Sequence, residues 1–152
     1  MTAKTRAGRV LVAGRIPATA DAVRAKLTRV GDAARRAGLG DGRRSDLEIV
    51  LGEVLNNIVE HAFEGRRPGW IDCLVQSGGA EDDVHAEIRD DGMPLPPMLL
   101  LQDHGLPELG AAPEDLPEGG FGWFIVHALT DDMMYEREAG ENRLTFSLGG
   151  GG

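Results

Sequence analysis

Two stretches of the chain repeat their apolar residues every three or four positions, which is the period of a helix packed on a core. The first covers residues 20–37, follows Thr19, and is ended by a cluster of glycines. The second is predicted to begin at Ser45, which has the spacing of a capping box with Glu48, and to end near Glu64. Its apolar stripe comprises Leu47, Val50, Leu51, Val54, Ile58 and Ala62.

Short runs rich in β-branched and aromatic residues predict five strands. They lie at residues 10–13, 70–76, 84–89, 133–137 and 143–148. The second and third runs are joined by a glycine-rich turn and the last two by residues 139–142, so each pair is predicted to form an antiparallel hairpin. A third helix is predicted at about residues 121–129, between the two hairpins.

The order of these elements favours an α+β fold, a two-layer sandwich in which a mixed, mostly antiparallel sheet is covered by helices on one face. A dinucleotide-binding fold would need strict alternation of strands and helices, which is missing. Six prolines between residues 93 and 119 exclude a long regular element there, apart from a short helix at 98–103. A connection this long inside a compact domain is typical of a functional lid or of a disordered segment. Residues 1–152 are predicted to form one domain, with its core at 9–148.

Composition narrows the function classes. The chain has 152 residues, of which 41% are apolar and 27% charged, and a net charge of −9. Because phosphate backbones select basic surfaces, this charge argues against direct nucleic-acid binding. No run reaches the roughly 20 apolar residues that a membrane span needs, so a cytoplasmic location is expected. The single cysteine, Cys73, excludes an intramolecular disulfide and a cysteine zinc site, and is predicted to be a small buried residue.

Three short polar motifs carry candidate chemistry. Glu53, Asn57 and His61 are spaced four residues apart in the second helix, so they share one face at the rim of its apolar stripe. An amide oxygen is a good ligand for Mg²⁺, and a carboxylate one turn earlier can orient or deprotonate a nucleophile near phosphates. Taken alone, the same spacing also fits an exposed helix face with an incidental Glu–Asn pair.

The other two motifs contain glycine. Asp90 ends a predicted strand and can accept a hydrogen bond from an exocyclic amine, while Gly92 would let the backbone approach a ring closely. Gly120-Phe121-Gly122 is predicted to be a loop entering a helix, where backbone N–H groups can hold phosphate oxygens. Each motif alone equally fits an ordinary turn or a helix junction. Their order along the chain predicts a nucleotide site.

Taken together, these residues resemble the motifs of the GHKL ATPase superfamily, which includes gyrase and the histidine kinases. The segment around Glu53 and Asn57 is similar to the family's N-box. Ile88-Arg89-Asp90-Asp91-Gly92 resembles its first glycine box, and Gly119-Gly120-Phe121-Gly122 its second. The size and the closing segment are most similar to the anti-sigma factor serine/threonine kinases. A departure from the wider superfamily is Pro94, which stands where a second glycine is common.

The resemblance implies a Bergerat ATP-binding fold and a role for each matching position. Glu53 would be the general base, Asn57 the Mg²⁺ ligand and Asp90 the adenine reader. The remaining positions implied to contact ATP are His61, Gly92, Gly120, Phe121, Gly122 and Thr145, with Thr145 on the adenine side.

The resemblance also implies a function in regulating transcription. The chain would sequester a sigma factor and use Mg-ATP to phosphorylate a serine or threonine on an anti-sigma factor antagonist of the STAS type, acting as a homodimer. The main alternative is a non-catalytic module in which ATP or ADP only sets the lid conformation. A detached ATPase domain of a sensor kinase is disfavoured because no phosphoacceptor-histidine helix pair precedes it. A plain structural domain would leave the three ordered motifs unexplained.

Overall fold

A computed structural model describes residues 9–62, 69–78, 83–95 and 120–149. The helices are α1 (Ala20–Arg36), α2 (Asp41–Asn57) and α3 (Gly120–Leu129), and a π-helical segment (Ile58–Ala62) continues α2. The strands are β1 (Arg9–Pro17), β2 (Trp70–Ser77), β3 (Val84–Asp90), β4 (Asp131–Glu138) and β5 (Glu141–Leu148). The predicted short helix at 98–103 and most of the predicted lid lie outside the described residues.

The five strands form one sheet in the order β1-β2-β3-β5-β4, and every neighbouring pair is antiparallel. Alternate residues of the central strands are buried on one face, where Ile71 pairs with Asp90 and Ile88 with Leu144. On this face α2 packs between α1 and α3. The predicted α+β sandwich is therefore confirmed, with a sheet that is antiparallel throughout its described part.

The first helix begins as its sequence predicts, whereas the second does not. Thr19 caps α1, because its hydroxyl accepts a hydrogen bond from the Ala22 N–H at 3.2 Å. The predicted capping box at Ser45 is wrong. The second helix begins four residues earlier at Asp41, after Gly40, which provides no side-chain cap. Asp41 places its charge in the first turn, where it favours the helix dipole and pairs with Arg44 at 3.0 Å.

The apolar stripe of α2 is buried in full, as predicted, and it continues into the π-helical segment. Segments of this kind widen a helix by one residue per turn and often occur at functional sites. The predicted end of the helix near Glu64 lies outside the described residues. Cys73 is buried on β2, as predicted, and burial raises the pKa of its thiol to about 11. No helix in the described ranges has both the length and the apolar character to cross a membrane.

The two predicted hairpins form, and the second is tighter than expected. Its turn contains only Ala139 and Gly140, which have φ values of 55° and 80°. Positive φ at both positions is the signature of a two-residue turn whose twist matches the flanking strands. Glu141 and Asn142, predicted to be turn residues, therefore open β5 instead.

A glycine allows β3 to meet the π-helical segment. The Met93 N–H donates to the Ala62 carbonyl at 2.8 Å. A Cβ at Gly92 would lie 2.6 Å from the Ala62 Cβ and 2.7 Å from its carbonyl oxygen. Because the second neighbour is backbone, a side chain at this position would have to move the chain itself. The glycine thus sets the distance between the end of β3 and the end of α2.

We predict that Gly92→Ala destabilises the fold by about 1–3 kcal/mol, which is the usual cost of overpacking a close contact. Urea denaturation followed by circular dichroism measures this loss. Gly42→Ala in α2 is the matched control, because no atom lies within 4 Å of a Cβ built there. The control should be neutral or slightly stabilising. Equal stabilities for the two variants would contradict the close contact with Ala62.

Candidate functional site

A buried carboxyl group at the end of β3 forms one side of the candidate site. Asp90 is 1% exposed, and its Oδ1 accepts hydrogen bonds from the Gly92 N–H at 2.8 Å and the Asn142 amide at 2.9 Å. Burial raises the pKa of Asp90, and those two hydrogen bonds oppose the rise. Within the described part of the chain, Oδ2 accepts no hydrogen bond. One carboxylate oxygen thus remains for a ligand.

The next residue points away from this carboxyl group. Asp91 accepts a hydrogen bond from the Trp70 N–H at 2.9 Å and so fastens the start of β2. The two adjacent aspartates therefore differ in role. Asp90 lies inside the fold on the face covered by the helices, and Asp91 holds the start of β2.

Asn142 on β5 joins the carboxyl group to its surroundings. Its amide NH₂ donates to Asp90 and to the Met93 carbonyl at 2.8 Å, with a longer contact of 3.4 Å to the Gly92 carbonyl. Its amide oxygen accepts from the Tyr135 hydroxyl and from Arg137 at 2.9 Å. The side chain is 1% exposed. Both ends of a buried amide are thus used, which fixes its orientation.

The other side of the site is the C-terminal end of α2. Asn57 is 3% exposed, and its NH₂ group donates to the Glu53 carbonyl one turn earlier at 2.9 Å. This bond turns the amide oxygen the opposite way, where it is buried and has no hydrogen-bond partner among the described residues. An unpartnered buried oxygen is costly, so it points to a ligand.

That oxygen fits a role in holding Mg²⁺. The ion prefers hard oxygen ligands, keeps several waters, and is commonly held by one or two protein oxygens together with substrate phosphates. The described residues contain no cluster of three or more His, Cys, Asp or Glu side chains that could hold a metal. A metal ion at Asn57 would therefore take its further ligands from the phosphates of a nucleotide and from water.

Glu53 connects α2 to α3. Its carboxylate lies against Gly122, since a Cβ built on that glycine would be 1.7 Å from Oε1 and 2.5 Å from Cδ of Glu53. Gly122 belongs to the first turn of α3, where backbone N–H groups lack partners within the helix and favour negative charge. The Glu53 carboxylate of α2 thus lies against the N-terminal end of α3, which carries positive partial charge.

Comparison with known proteins agrees with this arrangement. Residues 16–148 match the family model described as the histidine kinase-like ATPase domain. The chain belongs to the histidine kinase-like ATPase family. The match spans all three motifs and both hairpins.

Its relatives include proteins named serine-protein kinase RsbW. That of Listeria innocua is 32% identical over 107 residues, which cover 70% of this chain and 67% of the relative. That of Oceanobacillus iheyensis is 29% identical over 126 residues, covering 83% and 78%. The solved structure of the RsbU and RsbW domains of a Mycobacterium tuberculosis protein matches 90% of this chain with a TM-score of 0.60. The match covers 32% of that longer chain at 18% identity and shows the shared fold.

In this ATPase domain the predicted site residues fall into two connected groups. Glu53, Asn57 and Gly122 are joined at the junction of α2 and α3, and Asp90 and Gly92 at the end of β3. The contact between Gly92 and Ala62 links the two groups. His61 lies in the π-helical segment, with Nε2 buried, 3.8 Å from the Glu60 carboxylate. Within the described part, the buried Nε2 of His61 makes no hydrogen bond to the other predicted residues.

The glycine motif is helical rather than a loop. Gly120, Phe121 and Gly122 form the first turn of α3, so the prediction of a loop that precedes the helix is wrong at these positions. The side chain of Phe121 lies outside the described part. Their N–H groups nevertheless remain the unpaired donors of a helix start, which is the property that the prediction required.

Thr145 does not lie on the adenine side, and that prediction is wrong. Leu144 and Phe146 face the core, so the residue between them faces the other side of the sheet. There Thr145 pairs with Glu87 and Met134 and lines an open groove that also includes His85.

Asn142, the residue that holds Asp90, is absent from the predicted site residues. Asn142 was predicted to be part of a turn, so it carried no site role. The signal that could have revealed it is the alternation of side chains along β5, which places Asn142 on the same face as the buried Leu144, and β3 pairs with β5 so that Asp90 lies opposite Asn142. Arg137, which pairs with Asn142 across the two-residue turn, and Tyr135, two residues earlier on β4, would then have been its neighbours.

We predict that Gly122→Ala displaces the Glu53 carboxylate while leaving the fold intact, because the clashing atoms are the end of a flexible side chain. The variant should unfold within about 1 kcal/mol of the parent, which is the typical cost of a modest rearrangement. Nuclear magnetic resonance of the side-chain carboxyl carbon of Glu53 should change strongly. An unchanged resonance would contradict the contact, and Gly42→Ala is again the matched control.

Proposed function

We propose that this chain is an ATP-dependent serine/threonine protein kinase that also binds a sigma factor and phosphorylates a small antagonist protein. The observation that carries the proposal is the buried, unpartnered amide oxygen of Asn57, one turn after Glu53, whose carboxylate lies against the first turn of α3. The family membership and the kinase names of the relatives support the same activity.

Each residue has a role that its surroundings support. Asp90 would accept a hydrogen bond from the 6-amino group of adenine through Oδ2, since Oδ1 is already used. Asn57 would hold Mg²⁺ through its amide oxygen. The metal, when bound, would neutralise charge on the transferred phosphoryl group. The first turn of α3 would hold phosphate oxygens through its unpaired N–H groups.

Glu53 would act on the acceptor. Phosphoryl transfer relies on positioning and charge stabilisation, with a carboxylate that orients the incoming hydroxyl and takes its proton. Glu53 is half-buried and extends from a rigid helix, which limits the positions its carboxylate can take. The hydroxyl oxygen of a serine or threonine would attack the γ-phosphorus, and ADP would leave.

The partners, assembly and boundaries are part of the proposal. The sigma factor and the STAS-type antagonist come from the resemblance, as does the homodimer. We also propose that residues 1–152 act as one domain in the cytoplasm and that residues 93–119 close over ATP. Most of that lid segment lies outside the described residues.

We expect Asp90→Asn to weaken Mg-ATP binding roughly 10- to 100-fold, because a mismatched buried polar contact costs about 1–3 kcal/mol. Isothermal titration calorimetry measures the change.

The folding stability of Asp90→Asn should respond in the opposite direction to its ATP affinity. A raised pKa means that the ionised carboxyl costs stability at neutral pH, so the free energy of unfolding of the variant should equal or exceed that of the parent.

The pH dependence checks the sign of that effect. As the pH falls to the raised pKa of Asp90, the carboxyl group becomes neutral and its cost disappears. The difference in unfolding free energy between variant and parent should therefore shrink on acidification. Unchanged ATP binding by the variant would remove Asp90 from the site.

We expect Glu53→Gln to retain Mg-ATP binding but to slow phosphoryl transfer at least about a hundredfold, in line with the 10²–10⁴-fold effect of a general base. Single-turnover transfer of label from [γ-³²P]ATP to the antagonist, captured by pull-down, measures it. Asn56→Gln, on the exposed face of the same helix, is the control. Transfer by Glu53→Gln at the parental rate would overturn the mechanism. An absence of transfer by the parent itself would instead favour a non-catalytic ATP-binding module.

A further inference from the structure

The hairpin of β4 and β5 holds the end of β3 through an unusually complete set of polar contacts. Besides the bonds of Asn142, Arg137 donates to the Gly92 carbonyl at 2.9 Å, and the Leu95 N–H donates to the Tyr135 hydroxyl at 3.2 Å. Three side chains of the hairpin thus reach the backbone of residues 92–95. This segment leads directly into the long proline-rich connection.

The orientation of Asn142 is determined by its neighbours. Its NH₂ group meets acceptors, the Asp90 carboxyl and the Met93 carbonyl, whereas its oxygen meets the donors Tyr135 and Arg137. Rotating the amide by half a turn would place its NH₂ group against the Arg137 guanidinium, which has donors only. Only one orientation satisfies every partner.

This orientation controls which oxygen of Asp90 is available. Asn142 and the Gly92 N–H both bind Oδ1, so the carboxyl group cannot rotate without breaking two hydrogen bonds. Oδ2 then presents a fixed acceptor. A 6-amino purine offers a donor to that acceptor, whereas a 6-oxo purine offers a second acceptor and would leave both groups unpaired.

We propose that Asn142 is a positioning residue that fixes the Asp90 carboxyl group and thereby makes the site prefer a 6-amino purine nucleotide over a 6-oxo purine nucleotide. This inference rests on the proposed function, in which Asp90 contacts adenine. Asn142 itself has no free donor or acceptor among the described residues, so it acts on the ligand only through Asp90.

Calorimetric titration with Mg-ATP and with Mg-GTP tests the proposal, because the ratio of the two affinities reports selectivity apart from overall binding. We expect Asn142→Ala to reduce this ratio at least about tenfold, the factor that corresponds to losing one hydrogen-bond constraint. Tyr135→Phe removes one bond to the amide oxygen and should reduce the ratio less. Arg143→Gln is the control, since Arg143 adjoins Asn142 on β5 but pairs with Glu87 and Glu136 on the other face.

The pH dependence of Mg-ATP binding distinguishes positioning of Asp90 from a purely structural role, which would leave that pH dependence unchanged. The Asn142 hydrogen bond and the Arg137 charge lower the pKa of Asp90, and the Asp91 charge raises it. With Asp91 and Arg137 unchanged, Asn142→Ala should move the acid limb of Mg-ATP binding to higher pH. Tyr135→Phe keeps the amide and should move the limb less.

Two outcomes would overturn the inference. If Asn142→Ala binds both nucleotides more weakly by the same factor, or leaves the acid limb in place, Asn142 only supports the fold. If Asn142→Ala does not fold, an unchanged ratio in Tyr135→Phe gives the same answer. Failure of the proposed function looks different, because Asp90→Asn would then leave both affinities unchanged.

Discussion

The candidate site depends on keeping a carboxyl group buried at the end of a strand. Taking a carboxylate out of water is expensive unless hydrogen bonds replace the lost solvation. Asp90 is almost fully buried, and the raised pKa shows that its two hydrogen bonds offset the desolvation only in part. The remaining cost falls on an oxygen that a ligand donor could satisfy. The candidate binding site thus coincides with a place where burial of a carboxyl group costs stability, as is common where function is selected over stability.

Two glycines at the candidate site serve close contacts between elements. Gly92 lets the end of β3 touch the π-helical segment, and Gly122 lets the Glu53 carboxylate touch the first turn of α3. Neither residue has a positive φ, so neither is required by an unusual backbone conformation. In both places a Cβ would occupy space that another group already fills. These contacts bring the three sequence motifs together, because each glycine joins one motif to another.

Periodicity is sufficient to predict the fold. The side-chain contacts at the site cannot be predicted in this way, because they join residues that are distant in the sequence. Apolar residues recur at regular spacing over many positions, and this pattern predicts the buried stripe of α2, the two hairpins and the single covered face of the sheet. The start of α2 was mispredicted because Ser45 and Glu48 satisfy a local capping pattern, although Asp41 already places a favourable charge one turn earlier. The role of Asn142 depends on a pairing across 52 residues, which local spacing does not reveal. Thr145 was mispredicted because its motif match gave no information about which face of β5 it occupies.

The contacts of Asn142 depend on how β5 pairs with both of its neighbouring strands. Side chains alternate along β5, so Asn142 and Leu144 face the helices while Arg143 faces outward. A shift of one residue in the register between β3 and β5 would bring Arg143 beside Asp90 and would turn Asn142 out to solvent. The two-residue turn fixes a different pairing, that of β5 with β4, and places Arg137 opposite Asn142. It does so even though Ala139 adopts a left-handed conformation that costs a non-glycine residue roughly 1 kcal/mol. Asn142 can hold Asp90 because β3 and β5 pair in this register, and the turn brings Arg137 to the oxygen of the same amide. The residue that holds the Asp90 carboxyl group thus lies on β5, outside the three polar motifs that predict the site in the sequence.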